Sequence, residues 1–219
     1  MSFQLEYDKD NLERRPWEHY MELFRSADPE EISGRTGFPY DRETQNFTIS
    51  FMGTSYQVHF PDFEVSHTGG ACGFYPLEEI LKAKILVIRY LLEASHVVST
   101  GKFLTYRETP WGDVYLRQFN GRCILRLAYS YGNKQKTFQR ILEEMGALPV
   151  KFGDIAYEIE LLPDFRVRLI LWEGDDEFPP SAQILFSDNF PACFQAEDMA
   201  VTGDVIIGTL KAVEKLTAL

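Results

Sequence analysis

The stretch IAYEIELLPDFRVRLILW, residues 155–172, predicts two β-strands joined by a tight turn. Apolar side chains occupy alternate positions on both sides of Pro163-Asp164, which is the period of a strand that buries one face. A third strand-like run, residues 183–186, follows the turn-rich segment Gly174-Asp175-Asp176. The three runs are therefore predicted to form a meander.

A second strand pair is predicted nearer the N-terminus. Residues 46–52 and 55–60 both alternate, and Gly53-Thr54 between them fits a two-residue hairpin turn with glycine first. One face of this hairpin is predicted to be apolar and to carry Phe47, Ile49, Phe51, Tyr56, Val58 and Phe60.

The other segments are predicted to be helices from the spacing of their apolar positions. They are residues 16–24, 28–34, 76–92, 112–131, 133–145 and 196–216. Asp28 and Asn133 are the predicted N-caps, Gly34 and Gly146 the predicted ends, and Gly121 a weak point within its helix. Segregated helices and strands predict the α+β class, with an antiparallel β-sheet (N-terminal hairpin plus C-terminal meander) covered by helices.

Length and composition indicate one ordinary globular unit. A chain of 219 residues is longer than an average domain of ~150, which predicts a single domain over residues 1–219, with lobes 1–101 and 102–219 as the alternative. Hydrophobic residues at 45% and charged residues at 25% exclude a disordered or fibrous chain. The net charge of −11 argues against general binding to nucleic acid or to an anionic membrane.

The cysteines and the hydropathy pattern predict a cytoplasmic protein. Cys72, Cys123 and Cys193 are far apart in sequence and form no close ligand pair, as expected of reduced thiols. The first residues show no signal-peptide pattern, and charged side chains interrupt the apolar-rich stretch 77–98, which excludes it as a membrane span.

The main candidate for ligand binding is a pair of arginines on the second strand of the meander. Arg166 and Arg168 lie two positions apart, hence on one face, where two guanidinium groups can bind a carboxylate or a phosphate. The alternative is cross-strand pairing with Glu158 or Glu160. A pocket around the arginines would be completed by Tyr106, Glu108 and Trp111.

Two further groups carry side chains that bind metals, although no metal or other cofactor is predicted. His59, His67 and Cys72 fall within fourteen residues, but not at the spacing of a zinc site. The alternative for them is two surface histidines and a packing cysteine. Asp175, Asp176 and Asp188 offer oxygen ligands without an EF-hand pattern, and the alternative for them is a solvated hairpin tip. Whether either group converges depends on the fold.

A glycine-rich run, Thr68-Gly69-Gly70-Ala71-Cys72-Gly73, precedes one predicted helix. Such a backbone can wrap a phosphate, but this run lacks the lysine of a phosphate-binding P-loop and the GxGxxG order. A plain flexible connection is the alternative.

Charge is unevenly distributed along the chain. Residues 102–152 carry 9 basic and 4 acidic groups, a local +5, whereas residues 153–219 carry 4 and 13, a local −9. The basic segment is predicted to be the internal counter-charge of the C-terminal sheet, and the alternative is a face for an anionic partner.

Five segments together resemble the bacterial and archaeal family catalogued as domain of unknown function 3786. They are residues 53–56, 102–115, 153–156, 162–163 leading to 171–179, and 184–188, and the similarity extends from about Pro16 to Leu216. The resemblance implies no established activity. Some relatives carry a cysteine-rich, iron–sulfur-like segment that this chain lacks, so no redox role follows. Asp188 matches the aspartate of the family's LFD-like segment, with one serine intervening.

These observations predict a binding or accessory domain with a pocket for a small anionic ligand or a protein partner. No catalytic motif is present, so an enzymatic role is not the leading hypothesis. The alternatives are a metal-dependent enzyme that uses one of the two metal-type groups, and a subunit of a homo- or hetero-oligomer.

Overall fold

A computed structural model describes residues 13–70 and 72–217. The strands are β1 (Tyr40–Asp41), β2 (Asn46–Phe51), β3 (Thr54–His59), β4 (Val65–His67), β5 (Phe103–Thr105), β6 (Leu148–Pro149), β7 (Ile155–Leu162), β8 (Phe165–Trp172) and β9 (Ser181–Ser187). The α-helices are α1 (Arg15–Ser26), α2 (Pro29–Thr36), α3 (Pro76–Glu79), α4 (Leu81–Glu93), α5 (Gly112–Phe119), α6 (Leu125–Tyr131), α7 (Gln135–Glu144), α8 (Phe190–Cys193) and α9 (Ala196–Leu216). The α+β class is confirmed.

The hairpin and the meander belong to two antiparallel sheets rather than to one. The first sheet has the order β1-β2-β3-β4, and the second has the order β5-β9-β8-β7-β6. The short strands β5 and β6 pair with the two outer strands of the meander, β9 and β7. The hairpin therefore does not pair with the meander. The sheets meet where the Met52 N–H donates to the Leu161 carbonyl at 3.0 Å.

The hairpin turn lies one residue earlier than predicted. Met52 and Gly53 occupy the two central positions with φ of 49° and 76°. Positive φ at both positions matches a type I′ turn, whose twist fits the flanking strands. Thr54 is consequently free to pair with Phe51 in the ladder. A side chain at Gly53 would place a Cβ 2.6 Å from the Met145 carbonyl oxygen.

Helix α2 begins as predicted and ends later. The Asp28 carboxylate accepts the Glu30 N–H at 2.9 Å, which confirms the N-cap. The predicted end at Gly34 is wrong: the helix continues to Thr36 and stops at Gly37, where φ is 77°. A glycine ends a helix when its backbone turns left-handed, and Gly37 is the residue that does so.

Three other helix predictions need adjustment. The segment 76–92 is two helices, because Ile80 is extended between α3 and α4. The weak point at Gly121 is a π-helical segment, Asn120–Ile124, that separates α5 from α6. Asn133 does not cap α7; its side chain accepts the Gly174 N–H at 3.3 Å instead, so it is used by the loop between β8 and β9.

The core lies between the inner faces of the sheets and the helices. Phe165, Val167, Leu169 and Leu171 of β8 are fully buried, as their alternation predicts. One connected cluster of buried side chains extends from Met21 of α1 to Val213 of α9. Among the described residues, the helices are too short or too polar for any of them to traverse a lipid bilayer.

Candidate functional site

The predicted arginine pair lines a cleft on the outer face of the second sheet. This arginine cleft has a volume of ≈ 270 Å³. Its floor comes from β7 and β8, and its walls from β5, the end of β9 and the segment that leads into β5. Its lining residues are Ser99, Gly101, Phe103, Glu158, Asp164, Arg166, Arg168 and Ser187.

Arg168 is the fixed cation of the arginine cleft. Its guanidinium carbon lies 3.8 Å from the Phe103 ring centre and 4.6 Å from that of Phe152, so two aromatic faces hold the plane of the group. Its Nη2 donates to the Glu158 carboxylate at 2.9 Å. Both side chains of this pair are mostly buried, with 15% and 11% of their surface exposed.

Arg166 is the more exposed cation and lies at the mouth of the cleft, with 48% of its side-chain surface accessible. Its Nη1 reaches the same Glu158 carboxylate at 3.4 Å, and its Nε is 3.9 Å from Glu160. The cross-strand register places Glu158 opposite Arg168 and Glu160 opposite Arg166. The pairing alternative is therefore present, yet one buried carboxylate serves two guanidinium groups with ten N–H donors.

One wall of the cleft is formed by residues 99–101, which we call the strap. The Asp188 side chain holds the strap in place through hydrogen bonds. The Asp188 carboxylate accepts hydrogen bonds from Ser99 Oγ at 2.6 Å, from the Thr100 N–H at 3.0 Å and from Thr100 Oγ1. Ser99 Oγ in turn accepts the Gly101 N–H at 3.0 Å. Hydrogen bonds from the Ser99 and Thr100 side chains hold the pKa of Asp188 below its ordinary value.

Two of the predicted pocket residues have structural contacts elsewhere. The Tyr106 hydroxyl donates to the Ala196 carbonyl at 2.9 Å, and its ring stacks on Phe119 with 3.9 Å between centres. Burial, then nearby Glu197, raises the pKa of Tyr106 to about 12. Glu108 accepts the Thr105 N–H at 2.7 Å, which lowers the pKa of its carboxyl and closes the turn after β5.

Trp111 lies in a different groove from the arginines. Its side chain is 73% exposed, and its backbone has φ of 64° at the start of α5. The groove has a volume of ≈ 560 Å³ and is also lined by Tyr115 and Pro191. The five predicted residues are thus not brought together in one cleft: only Arg166 and Arg168 share the arginine cleft.

The first metal-type group does not converge. His59 Nδ1 is paired with Asp62 at 2.8 Å, and His67 Nδ1 is paired with Glu78 at 2.9 Å. Cys72 Sγ donates instead to the Phe74 carbonyl at 3.2 Å. In the part of the chain that the structure describes, no three His, Cys, Asp or Glu side chains are arranged to hold a metal ion.

The aspartate group is likewise separated, because Asp175 precedes β9 and Asp188 follows it. Seven strand residues lie between the two loops, a span of roughly 20 Å at ~3.3 Å per residue. The Asp175 carboxylate accepts the Phe178 and Glu177 N–H groups at 2.7 and 2.9 Å, which lowers its pKa and fits the predicted hairpin tip.

The glycine-rich run leads into α3, which has only four residues. Part of the run packs on the hairpin: the Thr68 N–H donates to the Ser55 carbonyl at 2.8 Å. A Cβ at Gly70 would lie 2.9 Å from Thr54 Oγ1. Close packing explains this glycine, and the geometry gives phosphate binding no support.

The basic segment meets helix α9 rather than the predicted C-terminal sheet. Arg122 donates to Asp204 at 2.7 Å and to Glu197 at 2.8 Å, and Arg126 donates to Asp204 at 3.1 Å. Lys82 of α4 adds a contact to Asp204 at 3.4 Å. We call these five residues the Asp204 cluster. Burial alone would lower the pKa of Arg122, but the two carboxylates outweigh it and raise that pKa.

Sequence reasoning missed most of the cleft wall. Ser99 and Gly101 come from the link after α4, and they reach the arginines because β5 pairs with β9. A strand of three residues, β5, has too few positions for a period-2 pattern to stand out. Phe152 follows β6 and reaches Arg168 only through the fold.

One family model matches this chain, the one described as Domain of unknown function (DUF3786), and it covers residues 28–209. Searches of curated proteins and of solved structures gave no match.

Proposed function

We propose that this chain, which belongs to the family described as Domain of unknown function (DUF3786), is a cytoplasmic binding domain for a small anion. The ligand carries a carboxylate or a phosphate group and binds in the arginine cleft. The observation that carries the proposal is the sharing of Glu158 by Arg166 and Arg168 inside a cleft. A second anion would engage the N–H donors that Glu158 leaves free.

The two arginines would divide the work. Arg168 is held between Phe103 and Phe152 and presents a guanidinium of fixed orientation, which limits the entropy lost on binding. Arg166 is half-exposed and would close over the bound group. Ser99 on the strap and Phe103 on β5 limit the size of the ligand to the ≈ 270 Å³ of the cleft.

The cytoplasmic location is supported by the thiols. Cys72, Cys123 and Cys193 are all free in the structure. Burial, followed by the charge of Asp204, raises the pKa of the Cys123 thiol to about 12, which makes it a packing group rather than a nucleophile.

Calorimetric titration with inorganic phosphate and with citrate tests the proposal. We expect one of the two probes to bind at a single site and to weaken about tenfold in Arg166→Gln, because one charge-assisted contact of about 1.4 kcal/mol is lost. Arg117→Gln is the matched control, since Arg117 is an exposed arginine on α5, outside the cleft. Equal affinities for wild type and Arg166→Gln, or no binding of either probe at millimolar concentration, would contradict it.

A further inference from the structure

In the second sheet, the ladder between β5 and β9 covers only part of β9. On one side, β8 pairs with Ser181 through Phe186. On the other side, β5 pairs only with Leu185, Phe186 and Ser187. The first four residues of β9, from Ser181 to Ile184, therefore have a partner strand on one side only.

The direction of the free backbone groups follows from the hydrogen-bond pattern. The Asp188 N–H donates to the Lys102 carbonyl at 3.0 Å, on the side of β5. Backbone groups alternate sides along an antiparallel strand, so Ile184 and Ala182 also turn their N–H groups to that side. The ladder to β5 ends at Leu185, so in the described residues no strand pairs with the N–H of Ile184 or with the N–H and C=O of Ala182 on that side. Backbone groups of this kind are normally paired.

A slot with a volume of ≈ 270 Å³ runs along this free edge. Ala182, Gln183 and Ile184 form its strand side, and Leu116 and Ile124 on α5 and the π-helical segment belong to its opposite, apolar wall. The chain leaves the line of β5 at Tyr106, where the turn Tyr106–Glu108 begins. The slot is consequently the place that a longer β5 would occupy. We call it the edge slot.

We propose that the edge slot binds an extended peptide segment of a partner protein, as an added antiparallel strand in line with β5. An extended main chain is the group that offers a C=O and N–H at the spacing of Ala182 and Ile184. Apolar side chains at alternate positions of the peptide would contact Leu116 and Ile124. This site is separate from the arginine cleft, since the two share no lining residue.

A phage-displayed library of random octapeptides, selected on the full chain, supplies the probes. The enriched peptides are synthesised and titrated against wild type, Ala182→Pro and Ala182→Ser. Proline removes the N–H that points into the slot and leaves the ladder to β8, because the groups of Ala182 face away from β8. We expect about a tenfold loss of affinity in Ala182→Pro and none in Ala182→Ser, with alternating apolar residues in the enriched peptides.

A second variant, Leu116→Phe, fills the slot from the helix side and covers the case in which Ala182→Pro does not fold. It should weaken the same peptides, while binding of phosphate or citrate in the arginine cleft stays unchanged in both variants. The proposal fails if no peptide is enriched, or if wild type, Ala182→Pro and Leu116→Phe bind the enriched peptides equally. A concentration-dependent dimer in light scattering that Ala182→Pro abolishes would also overturn it, in favour of a second copy of this chain as the occupant.

Discussion

The arginine cleft and the Asp204 cluster contain the same kinds of side chain and differ in how completely the cations are paired. In the Asp204 cluster, one carboxylate oxygen accepts two hydrogen bonds from Arg122, at 2.7 and 3.1 Å, and the other oxygen accepts one from Arg126. The third nitrogen of the Arg122 guanidinium, Nη1, donates a hydrogen bond to the Glu197 carboxylate. In the arginine cleft, Glu158 makes one contact below 3 Å, to Arg168. The cations of the Asp204 cluster thus have more and shorter contacts to carboxylates than those of the arginine cleft, where we propose that a further anion binds.

The difference has its origin in helix and strand geometry. Glu197 and Asp204 are seven residues apart on α9, which is two turns, so both carboxylates lie on one side of the helix. On β7, Glu158 and Glu160 share the outer face, but their side chains are 11% and 46% exposed. Only Glu158 therefore acts as a buried counter-ion, and the Coulomb energy between Glu160 and Arg166 is reduced by water. Charge count alone would not identify the arginine cleft as the less completely paired site, because the Asp204 cluster has three cations for two carboxylates and the cleft has two for two.

The largest effect is expected from Asp204→Asn. Three cations would lose their shared carboxylate, whose side chain is only 11% exposed, and the free energy of unfolding should fall by about 2–3 kcal/mol. This figure allows for the exposure of about one third at Lys82, Arg122 and Arg126. Urea denaturation at neutral pH measures the loss.

Glu214→Gln is the control for that experiment. It removes another carboxylate of α9, paired with the more exposed Lys134 at 3.1 Å, and should cost less than about 1 kcal/mol. If Asp204→Asn were no more destabilising than Glu214→Gln, the pairing of three cations by Asp204 would not stabilise the fold more than a single exposed ion pair does.

The local pattern predicts the five longer strands, β2, β3, β7, β8 and β9, because they bury side chains at alternate positions, and it misses the four strands of two or three residues. Residues 165–169 alternate strictly, and the structure buries Phe165, Val167, Leu169 and Leu171 as expected, with Ile170 buried in addition. The same period placed Arg166 and Arg168 on one face beside Glu158. Cross-strand neighbours follow from the strand order once two runs are known to pair.

Contacts between segments that are distant in sequence could not be predicted from the local pattern. Local charge predicts that the basic segment faces the C-terminal sheet, but it contacts α9, because α9 packs against the π-helical segment through contacts that the local sequence does not encode. Tyr106 and Trp111 are five residues apart, yet one is 2% exposed and the other 73% exposed. Their separation depends on the turn at Tyr106–Glu108 and on the left-handed backbone of Trp111.

An intermediate effect is expected from Glu158→Gln, which should lower the stability of the fold and raise the affinity for an anion. Arg168 loses its charged partner but retains a hydrogen-bond acceptor, so the free energy of unfolding should fall by about 1–2 kcal/mol. Affinity for phosphate or citrate should rise about fivefold, since removal of one negative charge near the ligand contributes about 1 kcal/mol. Denaturation and calorimetric titration measure the two changes separately.

Glu160→Gln provides the comparison for this variant. Glu160 is 3.9 Å from Arg166 and is half-exposed, so the change should leave stability nearly unaltered and raise affinity less than Glu158→Gln does. A loss of anion affinity in Glu158→Gln would mean that Glu158 helps to bind the ligand instead of competing with it.

The smallest effect is expected from Asp188→Asn, which loosens the wall of the cleft. Hydrogen bonds from Ser99 and Thr100 lower the pKa of Asp188 in the folded chain below that of the unfolded chain. This carboxylate therefore adds stability above the unfolded pKa of ~3.9, and the contribution disappears as pH falls through the lower, folded value. The difference in unfolding free energy between wild type and Asp188→Asn should be constant from neutral pH to about pH 5 and should shrink below about pH 4. Urea titrations across this range measure it, and a difference that grows in acid would show that Asp188 does not tie the strap as a carboxylate. At neutral pH the variant should bind phosphate or citrate more weakly than wild type, because the strap that carries Ser99 loses its anchor while both arginines remain.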